Sequence, residues 1–346
     1  MTLVRKGSQP SMLSRRVLRL AACVAGVLGL GLGALGVLAI YEGSPHALLK
    51  RKGDLVKTEL TPVGDDAVST FWKLTLRSST DLTVRALLRL PRSAEGPSSA
   101  AVLIGGIKRG RRVVTVQGLE SLARHAVLVS PDYPLHLGRD AWNGVTAIPT
   151  ALRLRAGAFD SVAHVLLLLD YLESRPDVDR RRLLLIGGSL GAELVTIAGG
   201  VDTRPAAVIA LYGGGRLGQL VGHTLAHPTR ARPLPPWLAS LGGHALAWLL
   251  TPLDPERYAP AIAPRPFLMV NGSGDSLVPR ANVMALYAAA QSPKDLILVE
   301  SDHVQPSETE LLRDLSRIVL AWLDRHGILP GTSSWLTDAR RECATR

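Results

Sequence analysis

Short apolar runs and longer amphipathic stretches alternate along the chain, and the alternation changes character near Ala100. Before it, three runs rich in Val, Leu and Thr, roughly Leu55 to Pro62, Val68 to Leu76 and Leu82 to Leu90, are separated by Gly-Asp and Ser-Ser-Thr turn signals. Runs of that length joined by such signals predict antiparallel strands. Beyond Ala100, apolar strands at Ala100 to Ile104, Ala126 to Val129, Leu183 to Ile186, Ala207 to Tyr212, Pro266 to Asn271 and Leu296 to Glu300 alternate with helical stretches. That pattern predicts an α/β fold with a mostly parallel sheet and helices on both faces. The helix over Ala158 to Ser174 carries apolar residues on more than one face, and Arg175-Pro176 ends it. Ser307-Glu308-Thr309-Glu310 reads as a capping box, opening a helix with Leu311, Leu315, Ile318, Val319, Trp322 and Leu323 on one face.

Two stretches fall outside the alternation. Between Tyr212 and Pro266 the chain is too long for an ordinary connection. Its leucines, Trp237 and Trp248 are divided by prolines and predict a short helical cap, residues 213–260, over the C-terminal edge of the sheet. Extra core packing is the competing reading of each apolar position. At the other end, Leu20 to Tyr41 carries no charge. That matches the roughly 20 apolar residues that span a bilayer and exceeds the core of an ordinary signal peptide.

Arg5, Lys6, Arg15, Arg16 and Arg19 precede this segment, and Lys50, Arg51 and Lys52 follow it. The bias favours a cytoplasmic N-terminus and an exported remainder. Ser14-Arg15-Arg16-Val17-Leu18 also resembles a twin-arginine export signal. Val37-Leu38-Ala39 offers a cleavage site that would release a secreted protein, whereas Leu20-Ala21-Ala22-Cys23 looks like a lipoprotein box without the apolar run that should precede one. The expected organisation is a basic cytoplasmic N-terminus (1–19), a transmembrane anchor or export signal (20–41), a connector (42–53), the α/β domain (54–330) and a tail (331–346). The expected location is the cell membrane, by a single-pass anchor with the α/β domain outside the cytoplasm, or secretion after cleavage.

Composition bounds what the domain can be. The chain has 346 residues, 47% of them hydrophobic, enough for one large α/β domain with a sizeable core. Its formal charge of +11 is spread along the sequence with no nucleic-acid motif, so no nucleic-acid partner is expected. Two cysteines, Cys23 and Cys343, make neither a disulfide framework nor a zinc site, and no metal or cofactor is expected.

The candidate chemistry centres on Arg182 to Gly199, R-L-L-L-I-G-G-S-L-G-A-E-L-V-T-I-A-G. An apolar strand, a glycine-rich turn and a helix put Ser189 at the apex of a G-x-S-x-G nucleophile elbow, with Gly187, Gly188 and Gly191 expected at small or left-handed positions. An attacking serine needs a base, and the base needs a partner to hold its tautomer. Downstream, Asp275 follows one strand in Gly272-Ser273-Gly274-Asp275, and His303 follows the next in Ser301-Asp302-His303. Alone, Asp275 reads equally as a turn residue, His303 as a surface histidine and Ser189 as a helix cap. Together they keep the order nucleophile, acid, histidine, each at a strand end. Asp302 adjoins the base and should diverge from it, and Glu300 lies within the strand. Leu190 and Ile107 are the expected oxyanion donors, the second from Gly105-Gly106-Ile107. The basic run Lys108, Arg109, Arg111 and Arg112 reads as a solvated loop or as a contact for an acidic substrate group.

With these residues assembled, roughly Ala100 to Gly327 resembles the α/β-hydrolase superfamily. Y-L-E-S-R-P-D-V-D-R-R-R-L-L-L-I-G-G-S-L-G-A-E-L is similar to dienelactone-hydrolase-type esterases and to the catalytic domain of acyl-CoA thioesterases and bile-acid-CoA acyltransferases; Y-A-P-A-I-A-P-R-P-F-L-M-V-N-G-S-G-D-S-L-V-P matches the acid loop of the same group. The resemblance implies an α/β-hydrolase fold with Ser189 as nucleophile, Asp275 as acid, His303 as base and Leu190 with Ile107 as oxyanion donors. Many relatives carry His-Gly where this chain has Gly105-Gly106, and some acyltransferases carry a cysteine nucleophile where it has Ser189. The implied activity is hydrolysis of a carboxylic ester or thioester through an acyl-enzyme, on a small-molecule substrate that the apolar cap suggests is lipophilic. An acyltransferase using the same residues is the near alternative. A catalytically silent binding protein at the membrane is the alternative of another class.

Overall fold

The computed structural model describes residues 41–92, 96–106, 110–134, 147–226, 237, 244–245 and 248–329. Nine strands form one sheet: β1 (Leu55–Asp65), β2 (Ser69–Ser78), β3 (Thr83–Pro91), β4 (Ser98–Ile104), β5 (Ala126–Pro131), β6 (Val178–Gly188), β7 (Ala207–Leu211), β8 (Phe267–Gly272) and β9 (Lys294–Val299). Their spatial order is β1-β2-β3-β5-β4-β6-β7-β8-β9. β1, β2, β3 and β5 pair antiparallel in turn. From β5 through β9 every pairing is parallel. All nine expected strands are present. Strand order reverses at β4, which has β5 on one side and β6 on the other. In parallel sheets the crevice beyond the C-terminal ends of the strands at such a reversal is where ligands bind.

Alternate residues of the central strands enter two separate apolar layers, as a sheet covered on both faces requires. On one face lie Ala100, Val102, Leu183, Leu185, Phe267 and Met269; on the other lie Ala101, Leu103, Leu184, Ile186, Leu268 and Val270. The first layer is covered by helices α1 (Pro45–Lys52), α3 (Ala147–Ser174), α4 (Leu190–Val201) and α6 (Arg280–Ala289). The second is covered by α2 (Glu120–His125) and α7 (Thr309–Arg325), while α5 (Leu217–Ala226) follows β7 and packs Leu220 against the first layer. β1 is an exposed edge strand, and its Lys57 and Pro62 suit an edge that must not recruit another strand.

Several elements differ from the sequence reading. Residues 42–53, expected as a connector, contain α1, whose Leu48 is fully buried in the first layer. Its last turn is basic, which suits the helix dipole, and reaches α3 through Arg51–Asp160 at 2.7 Å and a Lys52–Asp170 pair. The expected capping box does not form. α7 begins at Thr309 with Glu308 as N-cap and no side-chain cap bond, because the Glu308 carboxylate accepts the Gln305 N–H instead. The final part of the expected cap, from 251, consists of short 3-10 turns that continue past its expected end to Ile262, with Leu253, Tyr258 and Ile262 buried with α4. α5 is the regular cap helix that the structure describes; 227–236, 238–243 and 246–247 lie outside the described residues. So do 1–40, the expected N-terminus and nearly all of the expected membrane or signal segment, and the tail from 330 onward. Among the described residues no helix is long and apolar enough to cross a membrane.

Candidate active site

β6 runs into α4 through a single residue, Ser189, whose φ of 55° lies in the left-handed region. Such a conformation costs a non-glycine residue about 1–3 kcal/mol and persists only where the surroundings enforce it. Here they do. The Ser189 N–H donates to Leu211 O at 2.8 Å, and the Ala192 N–H returns to Ser189 O at 2.7 Å. The flanking glycines serve close approach rather than left-handed backbone. A Cβ on Gly187 would stand 2.1 Å from Gly191 O, and one on Gly191 would stand 2.1 Å from Ile104 O. Gly188 has open space around it. The strain expected of the glycines is thus carried by the serine itself, while Gly187 and Gly191 let α4 press onto the ends of β4 and β6.

The acid and the base come from the ends of β8 and β9. After β8, the Ser273 N–H donates to Val299 O at 2.8 Å and the Gly274 N–H to Ser301 O at 3.1 Å, binding the loop that carries Asp275 to the loop that carries His303. Asp275 Oδ1 accepts the Leu277 and Val278 N–H groups, each at 2.9 Å, so its carboxylate is held from behind. It faces His303 Nδ1 at 2.9 Å and 3.1 Å through its two oxygens. His303 Nε2 lies 3.0 Å from Ser189 Oγ. With Nδ1–H donating to the carboxylate, Nε2 is left bare to accept the serine proton. Both partners are nearly closed to solvent, at 6% exposure for the His303 side chain and 1% for Asp275. The Tyr212 ring stands edge-on to His303 with centroids 5.6 Å apart, and the Tyr212 hydroxyl shares a 2.6 Å hydrogen bond with Ser301.

The rival acids lie elsewhere. Asp302 turns back, its Oδ1 accepting the Ser276 N–H at 2.8 Å and the His303 N–H at 2.6 Å. Those two bonds hold its carboxyl below its ordinary pKa. Glu300 is exposed one residue past the end of β9 rather than within the strand.

Leu190 is the first residue of α4, where helix N–H groups have no intrahelical partner and can meet a developing negative charge. The loop after β4 runs against the serine: a Cβ on Gly106 would lie 3.6 Å from Ser189 Cβ and 3.9 Å from its Oγ. Ile107, the expected second donor, lies outside the described residues, as do Lys108 and Arg109. Of the basic run, Arg111 pairs with Asp132 at 3.0 Å and Arg112 is exposed.

No family model matches the chain, and no curated protein matches it by sequence. Solved structures do match. Acetyl xylan esterase 1 from a Thermoanaerobacterium species superposes with a TM-score of 0.59 at 18% identity, over 81% of this chain and 93% of that one. An acetyl xylan esterase from a Paenibacillus species gives 0.59 at 17% identity over the same shares, 81% and 93%. The esterase domain of a Rhodothermus marinus protein gives 0.51 at 20% identity, over 74% of this chain and 98% of that domain. The chain has the α/β-hydrolase fold.

Within this hydrolase fold, three buried groups near the elbow escaped the sequence reading. Glu193 lies one turn into α4. Its Oε1 accepts the Gly214 N–H at 3.1 Å, and its Oε2 is buried with no hydrogen-bond partner among the described residues. Burial raises its pKa to about 8, against the lowering pull of the Gly214 N–H, so the carboxyl is largely neutral at pH 7. Tyr133, two residues past β5, donates its hydroxyl to Gly105 O, and burial of that hydroxyl pushes its pKa up. His164 of α3 is pushed down to about 4 by burial and stays neutral, its Nδ1 unpartnered among the described residues. Among the described residues no group of three or more His, Cys, Asp or Glu is placed to hold a metal ion.

Proposed function

We propose that the chain is a serine hydrolase that cleaves a carboxylic ester or thioester of a small-molecule substrate through an acyl-enzyme. The observation that carries this reading is the unbroken path from Ser189 Oγ to His303 Nε2 at 3.0 Å and from His303 Nδ1 to Asp275 at 2.9 Å. Esterases among the structural neighbours agree with it.

Ser189 Oγ attacks the carbonyl carbon as its proton passes to His303 Nε2, and Asp275 stabilises the imidazolium that forms. Negative charge gathers on the carbonyl oxygen, where the Leu190 N–H and an N–H from the loop after Gly106 meet it. Collapse of this intermediate breaks the bond to the alcohol or thiol, which leaves with the proton from Nε2. Water then attacks the acyl-serine with the same base, releasing the acid and restoring the serine. The apolar character of 213–260 supports a lipophilic group on the substrate. The charge-free stretch 20–41 supports membrane anchoring or export, which protease access in intact cells tests.

The deciding experiment is labelling with a fluorophosphonate probe. Wild type is expected to label and Ser189→Ala not to. Equal labelling of the two, or none of either in folded protein, would refute the proposal. Esters and acyl thioesters of rising chain length, offered with and without amine or alcohol acceptors, then separate ester from thioester and hydrolysis from transfer.

A further inference from the structure

The loop that must supply an oxyanion donor is held by two consecutive residues at the end of β5, Asp132 and Tyr133. The Tyr133 hydroxyl donates to Gly105 O, the last carbonyl before the Gly106 backbone that lies against Ser189. A carbonyl oxygen only accepts, so the phenol must donate, and burial keeps its proton in place. Six residues on, Arg111 is tied to Asp132 at 3.0 Å, and a Cβ on Gly110 would meet the Asp132 carboxylate at 3.4 Å. Asp132 is itself fixed to the sheet, its N–H donating to Arg85 O of β3 at 2.7 Å. Both ends of the loop are therefore referred to one dipeptide that the sheet holds rigid.

Resting on the serine-hydrolase reading above, we propose that Tyr133 is a positioning residue for catalysis: its bond to Gly105 O sets the Gly105–Gly106 peptide against Ser189 and so sets where the oxyanion is met. A hydrogen bond to the Gly105 carbonyl has a second consequence. It fixes the plane of the Gly105–Gly106 peptide, from which the loop carrying the expected donor Ile107 departs. Asp132 is the weaker hold, because its pair with Arg111 is partly solvated. The contribution belongs to the transition state, where negative charge collects on the carbonyl oxygen, and not to the bound ester.

The test uses the full chain with Tyr133→Phe, which keeps the ring and removes the one hydroxyl. Removing an oxyanion donor outright costs about 10²–10³ in kcat, and loosening the loop that presents one is expected to cost about 10- to 100-fold, with KM within about threefold. The affinity of a boronic acid that forms a tetrahedral adduct on the serine should fall by the same factor as kcat/KM, while binding of the carboxylic acid product holds. Asp132→Asn should cost about two- to fivefold in kcat and answers the question if Tyr133→Phe does not fold. A residue that merely packs would lower thermal stability and leave kcat and boronate affinity per folded molecule unchanged, which overturns the inference. A wild type that labels with fluorophosphonate as fast as Tyr133→Phe overturns it while leaving the hydrolase reading standing. A wild type that neither labels nor hydrolyses any ester overturns both.

Discussion

Glu193→Gln isolates the cost of burying one carboxyl group under the nucleophile elbow. Folded, the group has Gly214 N–H on one oxygen and no hydrogen-bond partner among the described residues on the other, with the Tyr133 hydroxyl and Asp254 as polar neighbours. Burial raises its pKa from an ordinary 4.5 to about 8. Below pH 4.5 the folded and unfolded chains both carry the proton, and this group's contribution to stability is fully present. Between 4.5 and 8 the unfolded chain releases the proton while the folded chain keeps it, so stability falls as pH rises, and the loss is complete above the folded pKa. Each pH unit of that window is worth about 1.4 kcal/mol. The ceiling is therefore about 5 kcal/mol, reduced by whatever water or backbone movement reaches the unpartnered oxygen. Glutamine keeps the acceptor for Gly214 and cannot ionise. Urea midpoints at pH 5, 6, 7 and 8 should show wild type losing stability relative to Glu193→Gln with each step. Parallel profiles across that range would mean that the carboxyl is already ionised or solvated, and would refute the reasoning.

The remaining predictions concern the elbow, the acid loop and the N-terminal helix. Gly191→Ala should cost about 3 kcal/mol or more, since its Cβ meets the Ile104 carbonyl at 2.1 Å, whereas Gly188→Ala, with nothing within 4 Å, should change stability by about 0.5 kcal/mol at most; thermal melts compare the two. Asp275→Asn should leave the fold intact, because its oxygen can still accept Leu277 and Val278 N–H, while kcat on an ester falls on the order of 10³–10⁴ through loss of the charge and tautomer that hold His303. Asp302→Ala frees the Ser276 and His303 N–H groups and should lower kcat by about fivefold with less effect on KM. Its depressed pKa means that wild type keeps this tie above the ordinary 3.8 and loses it as pH falls through the lowered value, so activity after brief acid exposure should separate the two proteins. Leu48→Ala should destabilise by about 2–5 kcal/mol if α1 belongs to the folded domain, and a melt unchanged from wild type would show that it does not.

Much of the fold is legible in the chain because burial on both faces leaves a plain mark. β4, β6 and β8 each carry a short apolar run, Ala100 to Ile104, Leu183 to Ile186 and Phe267 to Val270, and such runs suit strands with helices above and below. Helix α1 leaves no such mark. It buries one residue, Leu48, and holds its place through charges on Arg51 and Lys52 that read in sequence as a basic connector. The segment 251–262 misleads in the opposite sense, since Leu253, Tyr258 and Ile262 could cover a substrate or a helix equally well, and only the proximity of Gly200 to Tyr258 decides for α4. The capping box at Ser307 fails for a local reason: the Glu308 carboxylate closes the preceding turn on Gln305, which brings the helix start forward to Thr309.

The candidate site divides along the same physical line. Ser189, Asp275 and His303 were legible because each sits where a parallel strand ends, and a sheet brings all its parallel C-termini to one edge, so order along the chain becomes proximity in space. Glu193 and Tyr133 follow no such rule. A glutamate four residues into a helix looks like a first-turn charge favoured by the dipole; the loop after β7, brought over it by the turn at Tyr212, makes it a buried, largely neutral acid. Tyr133 reaches Gly105 across 28 residues of sequence, from one strand end to its neighbour's. Groups at the ends of parallel strands are brought together by topology and can be read from order alone, whereas groups such as Tyr133 and Glu193 are set by how closely two particular loops approach. For this reason the deepest side-chain effect on rate outside Ser189, Asp275 and His303 should map to Tyr133 rather than to any further motif in the sequence.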